Sequence, residues 1–241
     1  VEVKIIDYTK DAIEKLIFTK NTRLQGEHTI NEIKRWPYDK KLKELDYMFN
    51  TIQSSFEFVN FTFLISGVSR NFTHQLVRTR NASYAQESLR AVDASDRECS
   101  DEDPLIDIML NESMNNYSEL LSKGYAIQDA RKVLPSAIKT SIIAQLSLRE
   151  IAHMAETRLC FRTAGEYQEV FKLMKLEVTL LYPEFERMIR VACAKTGICA
   201  FQNYKGCPIQ EHTVKVTIKQ KDAIQHLWQN TTHEADPGIY K

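Results

Sequence analysis

The sequence predicts an α+β protein, a single helix-rich domain with a small sheet. Three observations carry this. Residues 1–8 and 55–69 concentrate the β-branched and aromatic side chains that strands favour. Most of the remainder repeats apolar residues at helical spacing, with proline or glycine at the ends. No repeat, linker or low-complexity run divides the 241 residues, a length suited to one large domain.

The elements follow in order. "VEVKIIDY" opens as a strand and "KDAIEKLIFTKN" continues as a short helix. Residues 39–52, "DKKLKELDYMFNTI", form an amphipathic helix. In "SFEFVNFTFLISGVS", Phe56, Phe58, Phe61 and Phe63 are strand formers too large to leave in water, and all are assigned to the core. Residues 69–80 read as a helix with Phe72, Leu76 and Val77 inward. Arg78 and Arg80 fall in its last turn, where cations complement the macrodipole. Residues 81–92 read as irregular. A helix follows with Pro104 in its first turn and Gly124 past its end. "AIQDARKVLP" is a short helix stopped by Pro135, and residues 136–160 read as one long, largely buried helix. The next helix opens with Thr163 and Glu166 at capping-box spacing and stops at Pro183; another runs to about Lys195. "HTVKVTIK", residues 212–219, reads as a late strand. The domain is placed at 1–220, with 221–241 a mobile tail.

Composition narrows the function. Lys+Arg and Asp+Glu both number 32, so no general affinity for nucleic acid or a membrane surface is expected. No apolar run is long enough for a transmembrane helix. The first residues read as a strand rather than a secretion signal, so a cytoplasmic location is expected. The N-x-[ST] triplets at Asn71, Asn81 and Asn230 are then taken as chance. Five cysteines, at 99, 160, 193, 199 and 207, are an odd set for a disulfide framework. Cys193, Cys199, Cys207 and His212 fit no C-x-x-C zinc spacing, so buried thiols and no metal are expected. The seven glycines form no phosphate-binding loop, which leaves nucleotide phosphates to side chains and helix ends.

Two constellations carry chemistry. "THQLVRTRNASYAQESLR", residues 73–90, sets Arg78, Arg80 and Arg90 among Gln75, Ser83, Gln86 and Ser88. Guanidinium forks grip phosphates and carboxylates with paired, charge-assisted bonds. Short hydroxyl and amide groups complete a fit to ribose or base edges; a helix end followed by a polar surface loop is the plainer alternative. The second group is Arg131, Arg149, His153 and Arg158. Arg149 and His153, four apart, share a helix face, and arginines in so apolar a segment are costly to bury without an anion. Pairing with Glu150 or Glu156 is the structural alternative. No hydrolase or metalloprotease motif and no evident nucleophilic cysteine appears, Cys160 near Arg158 and Arg162 being the one to check. The residues point to an anionic, nucleotide-like ligand and to chemistry carried by a cofactor.

The stretch "HQLVRTRNASYAQESLR" resembles the signature of the flavin-dependent thymidylate synthases, R-H-R-x-x-S followed by S-x-R-Y. Arg78, Arg80, Ser83, Ser88 and Arg90 stand at matching places. The likeness runs in order through "SFEFVNFTFLISGVSR", "ARKVLP" and "SLREIAHMAETR", between residues 50 and 180. It implies a fold of helices around a mostly antiparallel sheet. It also implies a homotetramer with sites at subunit interfaces, FAD, NADPH and methylene-tetrahydrofolate. The implied reaction is reductive methylation at uracil C5 of dUMP, a pyrimidine mononucleotide. Carried over by position, Gln75, Arg78, Gln86, Glu87, Ser88, Leu89, Arg90, Arg131 and Arg158 would hold the nucleotide, with Arg131 at the phosphate. Arg158 at the uracil edge would be the catalytic group. Ser54, Arg78, Thr79, Arg80, Gln86, Ser147, Arg149 and His153 would line the flavin.

The sequence departs from that pattern on the flavin side. The central histidine of R-H-R is Thr79, the closing tyrosine is Ala91, and the usual N-E pair is Ala85-Gln86. Two further histidines are replaced by Ile52 and Phe58, and an A-Q-W-E-like element reads "AGEY". Three accounts stand. The protein is a diverged synthase, a variant that methylates or hydroxymethylates UMP or another pyrimidine 5′-monophosphate, or a catalytically silent nucleotide-binding homologue.

Overall fold

The computed structural model of the chain describes residues 1–163, 165–199 and 207. The expected strand at 212–219 and the boundary between domain and tail at 220 lie outside them. Strand β1 (Glu2–Tyr8) leads into α1 (Ala12–Arg23), α2 (Ile30–Lys34) and α3 (Tyr38–Thr51). A 3-10 turn (Gln53–Phe58) precedes β2 (Asn60–Ser69), α4 (Arg70–Leu76) and β3 (Ala82–Gln86). Then come α5 (Pro104–Ser122), α6 (Ile127–Ala130), β4 (Lys139–Ser147), α7 (Leu148–Arg158), α8 (Glu166–Leu181) and α9 (Ala192–Thr196).

Every sheet pairing is antiparallel, in the order β1-β2-β4-β3. The long excursion between β3 and β4 carries α5 and α6, and β4 returns between β2 and β3. On β2 and β4 the inward residues alternate: Phe61, Phe63 and Ile65 beside Ile142, Ala144 and Leu146. They meet Val170, Phe171, Met174 and Val178 of α8 in one apolar core. The β2–β4 register slips between Ile65 and Val68, where Gly67 takes φ 71°, a conformation other residues rarely adopt. A second core gathers Leu89, Ala94, Cys99, Tyr117, Ala130 and Ile138 under the segment that follows β3.

The helix expected over 136–160 is instead a strand followed by a helix. Thr140, Ile142 and Ile143 are β-branched, and burial along Lys139–Ser147 alternates with period two. Ser147 ends the strand and caps α7, its Oγ accepting from the Glu150 N–H at 3.2 Å. The expected strand 55–69 starts only at Asn60. Phe56 stacks on Phe49 from the 3-10 turn, whereas Phe58 is 51% exposed, not in the core. Residues 82–86, read as irregular, are β3, because β4 supplies their hydrogen-bond partners. Helix α4 stops at Leu76, so Arg78 and Arg80 stand beyond it, and Val77 is exposed rather than inward. The stretch after Pro183 splits into a 3-10 turn and α9. Helix α2 was not anticipated, although its Thr29/Glu32 capping box is legible in the sequence.

The capping box expected at Thr163/Glu166 does not form; Gly165 is the N-cap of α8. The Glu166 carboxylate turns to the end of β2. It accepts the Ser69 N–H at 2.7 Å and the Ser69 hydroxyl, with Lys139 Nζ at 3.8 Å. This ties the start of α8 to the strand end from which Arg70 leaves. Glu166→Ala leaves the buried Ser69 donors unpaired and is expected to lower stability by about 1–3 kcal/mol. The urea midpoint would report it, with the slope unchanged.

Candidate functional site

The site residues are arranged along the β2–β4 ladder. At one end Ser69 pairs with Lys139, and at the other Asn60 pairs with Ser147. The nine residues of β4 separate these ends by about 27 Å at about 3.4 Å per residue.

At the first end three guanidiniums converge. The Arg70 N–H donates to Ile138 O at 3.1 Å and that of Asn71 to Ser136 O at 3.0 Å, which brings the segment after Arg131 against the start of α4. Arg97 reaches the same place, its Nη1 donating to Lys139 O at 3.2 Å. Burial, and then the charges of Arg131 and Arg97, lower the proton affinity of Arg70. Arg97 is neutralised: its two terminal nitrogens donate to the two carboxylate oxygens of Glu87, one bond measuring 2.8 Å. Among the described residues Arg70 and Arg131 have no ion pair of their own; Arg131 Nε donates to Gln128 O at 3.3 Å. Between Glu87 and Arg97 the chain presents Ser88 and Arg90, both exposed. Leu89 is buried in the second core, and the Ala94 N–H donates to the Tyr117 hydroxyl at 3.2 Å. Anchored at both ends, this loop holds Ser88 and Arg90 next to the arginine cluster.

Midway along the ladder, Tyr84 of β3 lies opposite Ala144. Its hydroxyl sits 2.9 Å from both Leu76 O and Thr79 O and so fixes the turn after α4. Beside that turn, Arg158 at the end of α7 stacks its guanidinium 4.0 Å over the ring of Tyr167. Burial, more than any other cause, raises both tyrosines, so each keeps its proton at neutral pH.

At the far end lies a cavity of about 1040 Å³ whose lining includes Asn81, Ser147, Arg149, Glu150, His153 and Lys195. Arg149 pairs with Glu57 at 2.5 Å rather than with Glu150 or Glu156, and Lys195 takes Glu156 at 2.9 Å. The Asn81 amide donates to Glu150 at 3.3 Å and links the arginine-rich segment to this wall.

The sequence-assigned residues therefore separate. Arg131 joins the first cluster, with Ser88 and Arg90 on the adjoining loop; Arg158 and Thr79 stand midway; Ser147, Arg149 and His153 share the cavity. Ser54, Thr79 and Arg80 are outside its lining, although their neighbours Gln53 and Asn81 are in it. Gln75, Arg78 and Arg80 are exposed, and Gln86 donates to Thr73 Oγ1 at 2.8 Å. Glu87, assigned to the nucleotide by resemblance, gives its carboxylate to Arg97. Sequence reasoning missed Arg70, Arg97 and Tyr167. The signal for Arg70 was a cation directly after a strand; the other two depend on long-range partners. Burial, as the main cause, pushes the Cys160 thiol up and that of Cys193 up to about 11, so both are protonated at neutral pH and are poor nucleophiles. Among the described residues no three His, Cys, Asp or Glu side chains gather as a metal site.

Residues 4–184 match the family described as thymidylate synthase complementing protein, Thy1. The flavin-dependent thymidylate synthase of Pyrococcus furiosus is 34% identical over 185 residues, covering 70% of this chain and 75% of that protein. That of Pyrococcus horikoshii is 32% identical over 223 residues, 83% and 89% of the two chains. In fold, the chain resembles thymidylate synthase X of Helicobacter pylori, crystallised with FAD and dUMP. That TM-score is 0.66 at 18% identity, covering 78% of this chain and 99% of that one. The UMP/dUMP methylase PolB of Streptomyces cacaoi matches with a TM-score of 0.61 at 17% identity, covering 78% and 93%.

Arg97→Gln is expected to loosen the loop. Amide exchange across residues 88–96 should quicken while exchange in β2 and β4 stays as in the wild type. Hydrogen bonding to Arg97, then its charge, holds the Glu87 carboxyl below the usual carboxylate range. The pairing is therefore fully present above that range and is lost as pH falls through the lowered value. In the wild type, acid should loosen the same peptide.

Proposed function

The chain belongs to the flavin-dependent thymidylate synthase family, and from that premise we propose that it methylates uracil C5 of dUMP. Methylene-tetrahydrofolate is the carbon donor, NADPH the reductant and FAD the cofactor. The observation that carries the reading is the cluster of Arg70 and Arg131, two cations without counter-ions among the described residues, beside a loop offering Ser88 and Arg90. A nucleotide 5′-phosphate supplies the missing negative charge in bidentate geometry. Arg158, one element away, also has no ion pair among the described residues and takes the base edge.

Uracil C5 becomes nucleophilic when negative charge is stabilised on the N3–carbonyl edge of the ring. A fixed guanidinium at that edge favours the ring with its N3 proton lost and stabilises the resulting negative charge on N3 and the carbonyl oxygens, which leaves C5 more electron-rich. No thiol is needed, in keeping with cysteines that burial keeps protonated. The far cavity suits a large polar cofactor: Ser147 and His153 offer hydrogen bonds beside the Arg149–Glu57 and Lys195–Glu156 pairs. With Thr79, Arg78 and Arg80 they would hold FAD, which when bound supplies the redox equivalents and relays the one-carbon unit. Thr79 brings a hydroxyl where the family pattern has histidine.

A homotetramer with sites at subunit interfaces completes the reading. Two features support it: Gln75, Arg78, Arg80 and Arg90 are exposed on one chain, and α5 and α8 expose Leu105, Ile108, Met109 and Leu180. A second reading, a variant enzyme acting at C5 of UMP, is favoured by the replaced histidines at positions 52, 58 and 79.

The test is a product assay with FAD, NADPH, methylene-tetrahydrofolate and each pyrimidine monophosphate in turn, read by mass. Methylated dUMP is expected. A methyl or hydroxymethyl group on UMP would select the second reading, and protein that ignores added FAD in titration would reject both. Arg158→Ala should lower kcat by about 10²–10³-fold with circular dichroism unchanged.

A further inference from the structure

Among the described residues, Arg158 is held by an aromatic ring and not by a carboxylate. Its guanidinium lies 4.0 Å over one face of Tyr167, while Phe72 of α4 meets that ring edge-on, with centroids 5.0 Å apart and an interplanar angle of 88°. Tyr167 is the second residue of α8 and only 5% exposed, so neither the ring nor its plane is free to turn. A carboxylate in that place would neutralise the arginine and occupy its donors. A ring orients the cation through its quadrupole and leaves both the charge and the N–H groups for an incoming anion.

The hydroxyl adds a second observation. Tyr167 Oη is wholly buried and, among the described residues, has no partner in hydrogen-bond geometry, although Thr79 and Arg158 lie close to it. Buried polar groups are almost always paired, so an unpaired one calls for a reason, and a role in binding or catalysis is one. Thr79 and Arg158 stand near enough to offset, by charge and polar contact, part of the upward push that burial exerts on this phenol.

We propose that Tyr167 is the positioning residue of Arg158: its ring orients the guanidinium without neutralising it, and its hydroxyl pairs with Thr79 or Arg158 once a pyrimidine nucleotide is bound. This rests on the reading of Arg158 as the group at the uracil edge.

Two substitutions separate the parts. Tyr167→Phe keeps the ring and removes a hydroxyl that is unpaired in the free protein. It is expected to leave the Tm unchanged or raised, to keep dUMP affinity, and to lower kcat about tenfold through the lost bond. Tyr167→Leu removes the ring. It is expected to weaken dUMP binding about tenfold and to lower kcat further, with FAD content retained. A readout free of activity is phenylglyoxal modification of Arg158 in the ligand-free protein, mapped by mass spectrometry. It should quicken several-fold in the leucine variant and keep its wild-type rate in the phenylalanine variant. Equal modification rates in all three proteins, or a phenylalanine variant with wild-type kcat, would overturn the proposal. Should the leucine variant fail to fold, the phenylalanine variant alone decides through its kcat. Wild-type protein that binds no pyrimidine monophosphate, yet shows the modification pattern, would sink the functional reading and leave the ring's hold on Arg158 standing.

Discussion

Positive charge kept without a counter-ion is the constraint on which this structure turns. A buried or half-buried guanidinium is stable only if something pays for its lost hydration. Among the described residues, Glu87 goes to Arg97 and Asp46 to Arg187, which hold the scaffold, while Arg149 on the cavity wall takes Glu57. Arg70, Arg131 and Arg158 are left, among the described residues, with a backbone carbonyl, an aromatic face or a neighbouring cation. The division separates fixed scaffold charges from charges held ready for an anion.

The sheet makes that division geometric. Because β2 and β4 run antiparallel, the end of β2 lies beside the start of β4, and one short stretch of ladder launches Arg70 on one side and receives the chain after Arg131 on the other. Helix α7 then runs back from the opposite end, where Ser147, Arg149 and His153 line the cavity, and delivers Arg158 toward the middle. The tie from Glu166 to Ser69 holds the start of α8, and with it Tyr167, against α4. The residues proposed for nucleotide and cofactor thus sit in line along one ladder, and the sheet sets the distance between them.

The departures from the family pattern fall where this arrangement tolerates them. Phe58, in place of a histidine, is 51% exposed and follows Glu57 of the cavity wall. Thr79, in place of another, keeps its backbone fixed by the Tyr84 hydroxyl, so the turn survives the change of side chain. The glutamate of "AGEY" secures the strand end, and the tyrosine after it carries Arg158. A scaffold held by backbone hydrogen bonds and a shared core accepts such exchanges at its rim more readily than within the arginine cluster.

By itself the sequence determined what depends on near neighbours in the chain. Helix α5, between Asp103, which caps it, and Gly124, was legible because caps and apolar spacing act within a few residues. The arginine-rich signature was legible because its residue types and spacing are local. Tertiary structure decided the rest. Lys139–Ser147 is a strand only because β2 and β3 flank it; an isolated apolar stretch of that length reads equally well as buried helix. The pairing of Glu87 with Arg97 and the seat of Arg158 on Tyr167 join residues that local pattern cannot connect, since charge and ring contacts follow distance in space rather than along the chain.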